Sequence, residues 1–186
     1  VSIDLSLSLD QYGFSYPSST MNLKSSPVIG DLNGDSNYEI FVGDEDGRLY
    51  GFSHEGDALV NFPFEVTDKI RSSPAIGDVD NDGLDEVVFG SHDRKLYILN
   101  YSGQQELAYN QAGYIVGSPA LYNLDDDSDL EIIFTTQNGN DAGELYAIHH
   151  DGTNVDGFPV NIGDRMSAGP AIGDLEGDGI IDIVVC

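Results

Sequence analysis

Apolar residues along this chain come in short bursts bounded by Gly, Pro, Asn, Asp or Ser, and no stretch shows a helical period. Val1, Ile3, Leu5, Leu7 and Leu9 alternate with polar neighbours, which predicts a half-buried strand. β-branched runs at 39–42, 86–89, 131–134 and 182–185 predict further strands. The first three are followed by a turn (44–47, 91–94, 137–143) and by a Leu-Tyr strand at Leu49-Tyr50, Leu96-Tyr97 and Leu145-Tyr146. Then comes a turn bearing Gly56, Gly103 or Gly152, and a last apolar segment at 62–64, 107–109 or 158–160, the middle one the weakest.

The order recurs because the whole unit recurs. Ser25-Ser-Pro-Val-Ile-Gly-Asp31, Ser72-Ser-Pro-Ala-Ile-Gly-Asp78, Gly117-Ser-Pro-Ala-Leu-Tyr-Asn123 and Ala168-Gly-Pro-Ala-Ile-Gly-Asp174 align on Pro27, Pro74, Pro119 and Pro170, spaced by 47, 45 and 51 residues. The longer third unit is expected to carry a loop-tip insertion within 135–143. Four short strands in a unit of this length predict an all-β fold, a β-propeller of four-stranded antiparallel blades. A sandwich of unrelated hairpins would not repeat as a unit. The expected division is a half-blade at 1–24, repeats at 25–70, 71–116 and 117–166, and half of a fourth at 167–186. Gly13-Phe14 before Pro27 matches Gly157-Phe158 before Pro170, which suggests that the two halves complement each other. Closure into one ring, membership of a larger propeller, and exchange of strands between copies are all compatible with that division.

The loops between the first two strands of each unit carry the chemistry. They read Asp31, Asn33, Asp35, Asn37 and Glu39; Asp78, Asp80, Asp82, Leu84 and Glu86; Asn123, Asp125, Asp127, Asp129 and Glu131; and Asp174, Glu176, Asp178, Ile180 and Asp182 at positions 1, 3, 5, 7 and 9. Oxygen-bearing side chains occupy positions 1, 3, 5 and 9 each time, and a tightly curled loop turns alternate side chains toward one point. A hard cation that takes six to eight oxygens suits such a point, so Ca2+ is expected, up to one ion per loop. Mg2+ keeps its waters, and Zn2+ prefers His or Cys, which the loops lack. An EF-hand would need a Glu at position 12, where Val42, Phe89, Phe134 and Val185 stand.

These loops, together with Phe89-Gly90 and Ala168-Gly169-Pro170, resemble the FG-GAP, or integrin-type VCBS, repeat family of calcium-binding propeller blades. The resemblance extends over about residues 13–186. It implies side-chain ligands at positions 1, 3, 5 and 9 and a backbone carbonyl at position 7, hence Asn37, Leu84, Asp129 and Ile180 as carbonyl donors. Ser36 and Ser128 stand where Gly83 and Gly179 ease the turn, Asn123 and Asn33 replace carboxylates, and Glu176 is longer than Asp. The third loop departs furthest from the pattern.

Charge sharpens the picture. The chain has 33 Asp and Glu against 7 Lys and Arg, for a net charge of −26, so no basic face for nucleic acid can exist. Seventeen of those acids fall in the four loops. No apolar run approaches the roughly 18 residues of a membrane span, no signal peptide opens the sequence, and direct membrane insertion is not expected. With a Kd of about 0.1 mM, as in extracellular modules, millimolar Ca2+ contributes about 1.4 kcal/mol per site, and four sites about 5–6 kcal/mol. The expected setting is therefore the cell surface or the secreted space.

No nucleophile elbow, phosphate loop or zinc-helix motif is present, and no enzyme is expected. The expected role is an adhesion or structural protein-interaction module with a protein or glycan ligand at the cell surface. The alternatives are a carbohydrate-binding or scaffold propeller of a polysaccharide-active protein, and a subunit that self-associates through incomplete blades. His149-His150-Asp151 reads as a variable lead into a turn, and the Leu-Tyr tyrosines as blade packing. The single cysteine, Cys186, has no assigned role.

Overall fold

The computed structural model describes residues 21–125, 127–138 and 142–186. The half-blade expected at 1–24 lies, apart from its last four residues, outside the described residues. Four antiparallel sheets follow one another along the chain, and the described residues contain no helix. The first holds β1 (Val28–Gly30), β2 (Glu39–Gly43), β3 (Arg48–Phe52) and β4 (Phe64–Glu65) in sequence order. The second holds β5 (Ala75–Gly77), β6 (Glu86–Gly90), β7 (Lys95–Leu99) and β8 (Gln105–Asn110). The third holds β9 (Ala120–Tyr122), β10 (Glu131–Asn138), β11 (Ala142–Ile148) and β12 (Val160–Asn161). The last pairs β13 (Ala171–Gly173) with β14 (Asp182–Val184). The first strands of successive sheets lie side by side, β1 against β5, β5 against β9 and β9 against β13.

The central strands of the first three sheets are apolar at consecutive positions because both of their faces are covered, whereas the two-stranded fourth sheet packs on the third and leaves Val184 exposed. Phe41 and Leu49 face Val87, Phe89, Tyr97 and Leu99 across the first interface. Val88, Leu96 and Ile98 on the opposite face of the second sheet meet Ile132, Phe134, Tyr146 and Ile148 of the third. Ile133, Leu145 and Ala147 in turn meet Ile172, Ile183 and Val185. A strand's period of two thus supplies alternate residues to two different cores, which explains runs that lack a polar face.

The Leu-Tyr tyrosines serve this packing, as expected from the sequence. Phe89 stacks on Tyr97 at 5.2 Å, and Phe64 of the preceding sheet meets both rings edge-on. Phe134, Tyr146 and Tyr109 repeat the trio one interface later, with the stacked pair at 5.0 Å. Such pairs add about 0.5–1.5 kcal/mol beyond their buried area.

The repeated Ser-Pro segments have a matching purpose. Ser25 Oγ accepts from the Gly43 N–H at 2.8 Å, and Ser72 Oγ accepts from the Gly90 N–H at 3.2 Å, which ties the lead into β1 or β5 to the end of the second strand. In the third unit Gly117 and Thr135 occupy these places, and Thr135 Oγ1 donates instead to the Ala168 carbonyl at 2.8 Å.

Two expectations change. The extra residues of the third unit are not confined to a loop tip: Thr135 to Asn138 pair with Leu145 to Ala142, which lengthens the β10–β11 hairpin, and Thr135, Thr136 and Gln137 are buried. The segment around 107–109 is not a weak strand either. β8 is six residues long and pairs along all of β7, whereas β4 and β12, each preceded by a proline that lacks an N–H, have two residues each.

Candidate metal centres

The acidic loops are the β1–β2, β5–β6, β9–β10 and β13–β14 connections, so in each antiparallel sheet they emerge at one end, beside the turns that follow β3, β7 and β11. All seven Lys and Arg (Lys24, Arg48, Lys69, Arg71, Arg94, Lys95 and Arg165) lie in or next to connections at the other end. There Arg71 holds Glu45 through two bonds of 2.5 and 3.1 Å.

One framework builds the first, second and fourth loops. The position-1 carboxylate is an acceptor for N–H groups further round the turn: Asp78 takes Asp82 N and Gly83 N, each at 3.0 Å, Asp31 takes Asp35 N and Ser36 N, and Asp174 takes Gly177, Asp178 and Gly179 N. Position 5 accepts from position 7, at 2.7 Å for Asp35 and Asn37 and 2.9 Å for Asp82 and Leu84 and for Asp178 and Ile180. These bonds curl the loop, as Asp and Asn side chains do wherever they compete with regular structure. The curl needs left-handed backbone at position 6, where Ser36, Gly83 and Gly179 have φ of 69°, 95° and 85°, and at position 4, where Gly34, Asn81 and Gly177 have φ of 70°, 57° and 73°.

Position 9 is the anchor of all four loops. Glu39, Glu86, Glu131 and Asp182 accept the position-2 N–H of Leu32, Val79, Leu124 and Leu175 at 3.0, 3.0, 2.5 and 3.0 Å. Leu32 and Val79 are themselves buried, so an apolar plug and a carboxylate pin the loop onto the sheet.

The three glutamates are buried, and burial raises their carboxyls above the ordinary range against the lowering effect of the backbone bond. Glu86 is pushed up to about 8, with Asp80 and Asp82 adding to the rise. Exposed Asp35 and Asp174 are instead lowered, chiefly by backbone N–H bonds from Asn37 and Gly179.

Convergence of ligand atoms differs among the loops. Asp78, Asp80 and Glu86 bring carboxylate oxygens within 4.8 Å of one another. In the third loop Asp125, Asp127 and Glu131 do so together with His149. Among the described residues these are the two such groups; the first loop has the neutral Asn33 where the second has Asp80.

The third loop is built differently from the others. Asn123 acts as a donor across the loop, Nδ2 bonding to the Asp127 carbonyl, and Ser128 lacks the left-handed φ of its counterparts. His149 Nδ1 lies 3.4 Å from Glu131 Oε1, His149 Nε2 lies 3.8 Å from Asp125 Oδ2, and His150 Nδ1 lies 3.0 Å from Asp129 Oδ2. The His149-His150 pair is therefore more than a lead into a turn: the β11–β12 turn sits beside the β9–β10 loop, a neighbourhood that sequence spacing does not reveal.

Consecutive antiparallel sheets packed face to face, with their first strands abreast, define the blades of a β-propeller-type protein. The chain carries an FG-GAP-like repeat: the model of that family matches residues 31–89, which include the first two acidic loops. No curated protein matches the sequence. Among solved structures the chain is similar to BBS1N crystallised with ARL6DN and soaked with lead, at 16% identity and a TM-score of 0.63, covering 90% of this chain and 51% of that one. It is similar to the V. cholerae biofilm matrix protein Bap1 at 21% identity and a TM-score of 0.53, covering 91% of this chain and 36% of the other. The computationally designed Ika4 protein matches at 12% identity and a TM-score of 0.60, covering 95% and 99%. The chain thus spans about half of BBS1N and about a third of Bap1. No described helix is long and apolar enough to cross a membrane.

Proposed function

We propose that this chain is a calcium-stabilised, non-enzymatic protein-interaction module that works outside the cell, with blade units at 25–70, 71–116 and 117–166 and part of a further one at 167–186. The observation that carries it is the second loop. Asp78, Asp80 and Glu86 gather three acids within 4.8 Å around a point that no Lys or Arg of the chain approaches from its own end. The donor set is all oxygen, which fits Ca2+. Asp78, Asp80, Asp82 and Glu86 with the Leu84 carbonyl would hold the ion there. Asp31, Asn33, Asp35 and Glu39 with the Asn37 carbonyl would do so in the first loop, and Asp174, Glu176, Asp178 and Asp182 with the Ile180 carbonyl in the fourth. The bound cation supplies the charge that relieves carboxylate repulsion, and the loops it stiffens become a rigid surface for a partner.

The FG-GAP-like match supports calcium and an extracellular setting, where millimolar Ca2+ would fill sites of modest affinity. Fold likeness to a biofilm matrix protein and to a protein crystallised with a partner supports an interaction role. Calorimetric titration with Ca2+, paired with melting in Ca2+ and in EDTA, tests the reading. Heat of binding and a higher melting temperature in Ca2+ are expected. A melt that EDTA leaves unchanged overturns it.

A further inference from the structure

The turn after the third strand is built alike in all three complete sheets. Ser53, Asn100 and His149 begin it, and each donates its N–H to the residue four further on, at 2.8, 3.1 and 2.9 Å. In the first two sheets the side chain at this place caps the turn. Ser53 Oγ accepts from Glu55 N and Asp57 N, and Asn100 Oδ1 accepts from Ser102 N and Gln104 N. In the third sheet Asp151 has taken over the capping, accepting from Thr153 N at 2.8 Å and Thr153 Oγ1 at 2.6 Å. The side chain at 149 is thereby released from the turn, and it is an imidazole directed at Asp125 and Glu131.

The carboxylate it faces is unfinished. Glu131 is fully buried, its Oε2 takes the Leu124 N–H, and its Oε1 makes no hydrogen bond, standing 3.4 Å from His149 Nδ1 in the group formed with Asp125 and Asp127. A buried carboxylate oxygen without a donor is costly unless something positive completes it. We propose that Asp125, Asp127, Glu131 and His149 form a site for a divalent transition metal of the zinc type. Three carboxylates and one imidazole are four ligands, the number that Zn2+ takes. The imidazole sets this loop apart from its neighbours, since Ca2+ takes oxygen whereas Zn2+ binds imidazole well. Asn123 fits the assignment, because its amide is engaged with the Asp127 carbonyl and braces the loop around Asp127. The four ligand atoms already lie within 4.8 Å of one another, so small side-chain rotations bring them to the roughly 3.3–3.6 Å separations that bonds of about 2.0–2.2 Å to one ion require. This assignment concerns the third loop alone and stands whether or not the other loops hold calcium.

The test is calorimetric titration of the 186-residue chain with Zn2+ in millimolar Ca2+, on the wild type and on His149→Asn, the residue that the second sheet carries at this place. One equivalent bound in the presence of Ca2+, weakened at least tenfold in H149N, with the His149 ring nitrogens shifting in 15N NMR on Zn2+ addition, is the expected result. No Zn2+ binding by the wild type, or a loss in H149N of less than tenfold, overturns it. An unchanged calcium-dependent melt of H149N shows that the variant folds and that the calcium loops are intact. A wild type that binds Zn2+ but ignores Ca2+ would uphold this site and overturn the calcium reading instead.

Discussion

Ile115 lies so close over Gly90 that a Cβ on the glycine would sit 2.1 Å from Ile115 Cγ2. The same contact joins Ile70 to Gly43, where the distance would be 2.3 Å. Gly90 ends β6 and Ile115 leads into the next sheet, so the missing side chain lets one blade's connection seat on the previous blade's hairpin. Gly90→Ala is expected to destabilise the fold by about 1–3 kcal/mol, the usual cost of overfilling a packed core. The double variant with Ile115→Ala should lose less than the sum of the single changes, because each relieves the other's error. Denaturant midpoints for the three variants check this, and additive losses would refute the contact.

Glu86→Gln separates the two duties of the position-9 acid. The amide oxygen can still accept the Val79 N–H, now bonded at 3.0 Å, but the charge offered to a cation is gone. Without calcium the variant should be as stable as the wild type or more so, since a buried carboxylate is replaced by a neutral group. The stabilisation by millimolar Ca2+ should fall by about 1.4 kcal/mol, one site's share for a Kd near 0.1 mM. Melting curves in EDTA and in Ca2+ for both proteins provide the comparison.

Ser36 holds φ of 69°, a conformation that glycine adopts without penalty and other residues at a cost of roughly 1–2 kcal/mol. Ser36→Gly should therefore stabilise the protein by up to about 1 kcal/mol after the extra chain entropy is subtracted. Ser128→Gly should bring no gain, because Ser128 is outside that region. Equal effects of the two changes would contradict the different build of the third loop.

Tyr97 and Tyr146 both hold their protons more tightly than an ordinary tyrosine, through burial and then through their bonds to Asp93 at 2.6 Å and Glu144 at 3.0 Å. Their folded pKa values lie above the unfolded value of about 10. Their contribution is thus complete below about pH 10 and is lost as pH rises toward the folded values. Stability should fall above about pH 10, and the fall should be shallower in the Tyr97→Phe/Tyr146→Phe variant. Urea midpoints measured between neutral and strongly alkaline pH decide it.

Much of the fold was legible because both of its signals are local. Glu39, Glu86, Glu131 and Asp182 each stand at the start of a β-branched run, and the strands begin there. Pro27, Pro74, Pro119 and Pro170 count out the units before any contact is known. The exceptions are cases where pairing overrides composition. β8 lacks the apolar Phe-Pro signature yet is the longest fourth strand, and the polar residues 135–138 read as loop but continue a ladder.

The sequence by itself determined the unit, its strands and the spacing of oxygens at loop positions 1, 3, 5 and 9, because a turn and a pleat are written in neighbouring residues. Only the tertiary structure decided which carboxylates converge, since Asp78, Asp80 and Glu86 meet through a loop pinned by Val79, and why Phe64 belongs with Phe89 and Tyr97 of the following blade. It alone placed His149 beside Asp125 and Glu131. Those residues are far apart along the chain, and two connections that emerge at the same end of one antiparallel sheet are brought together by strand pairing rather than by any local preference.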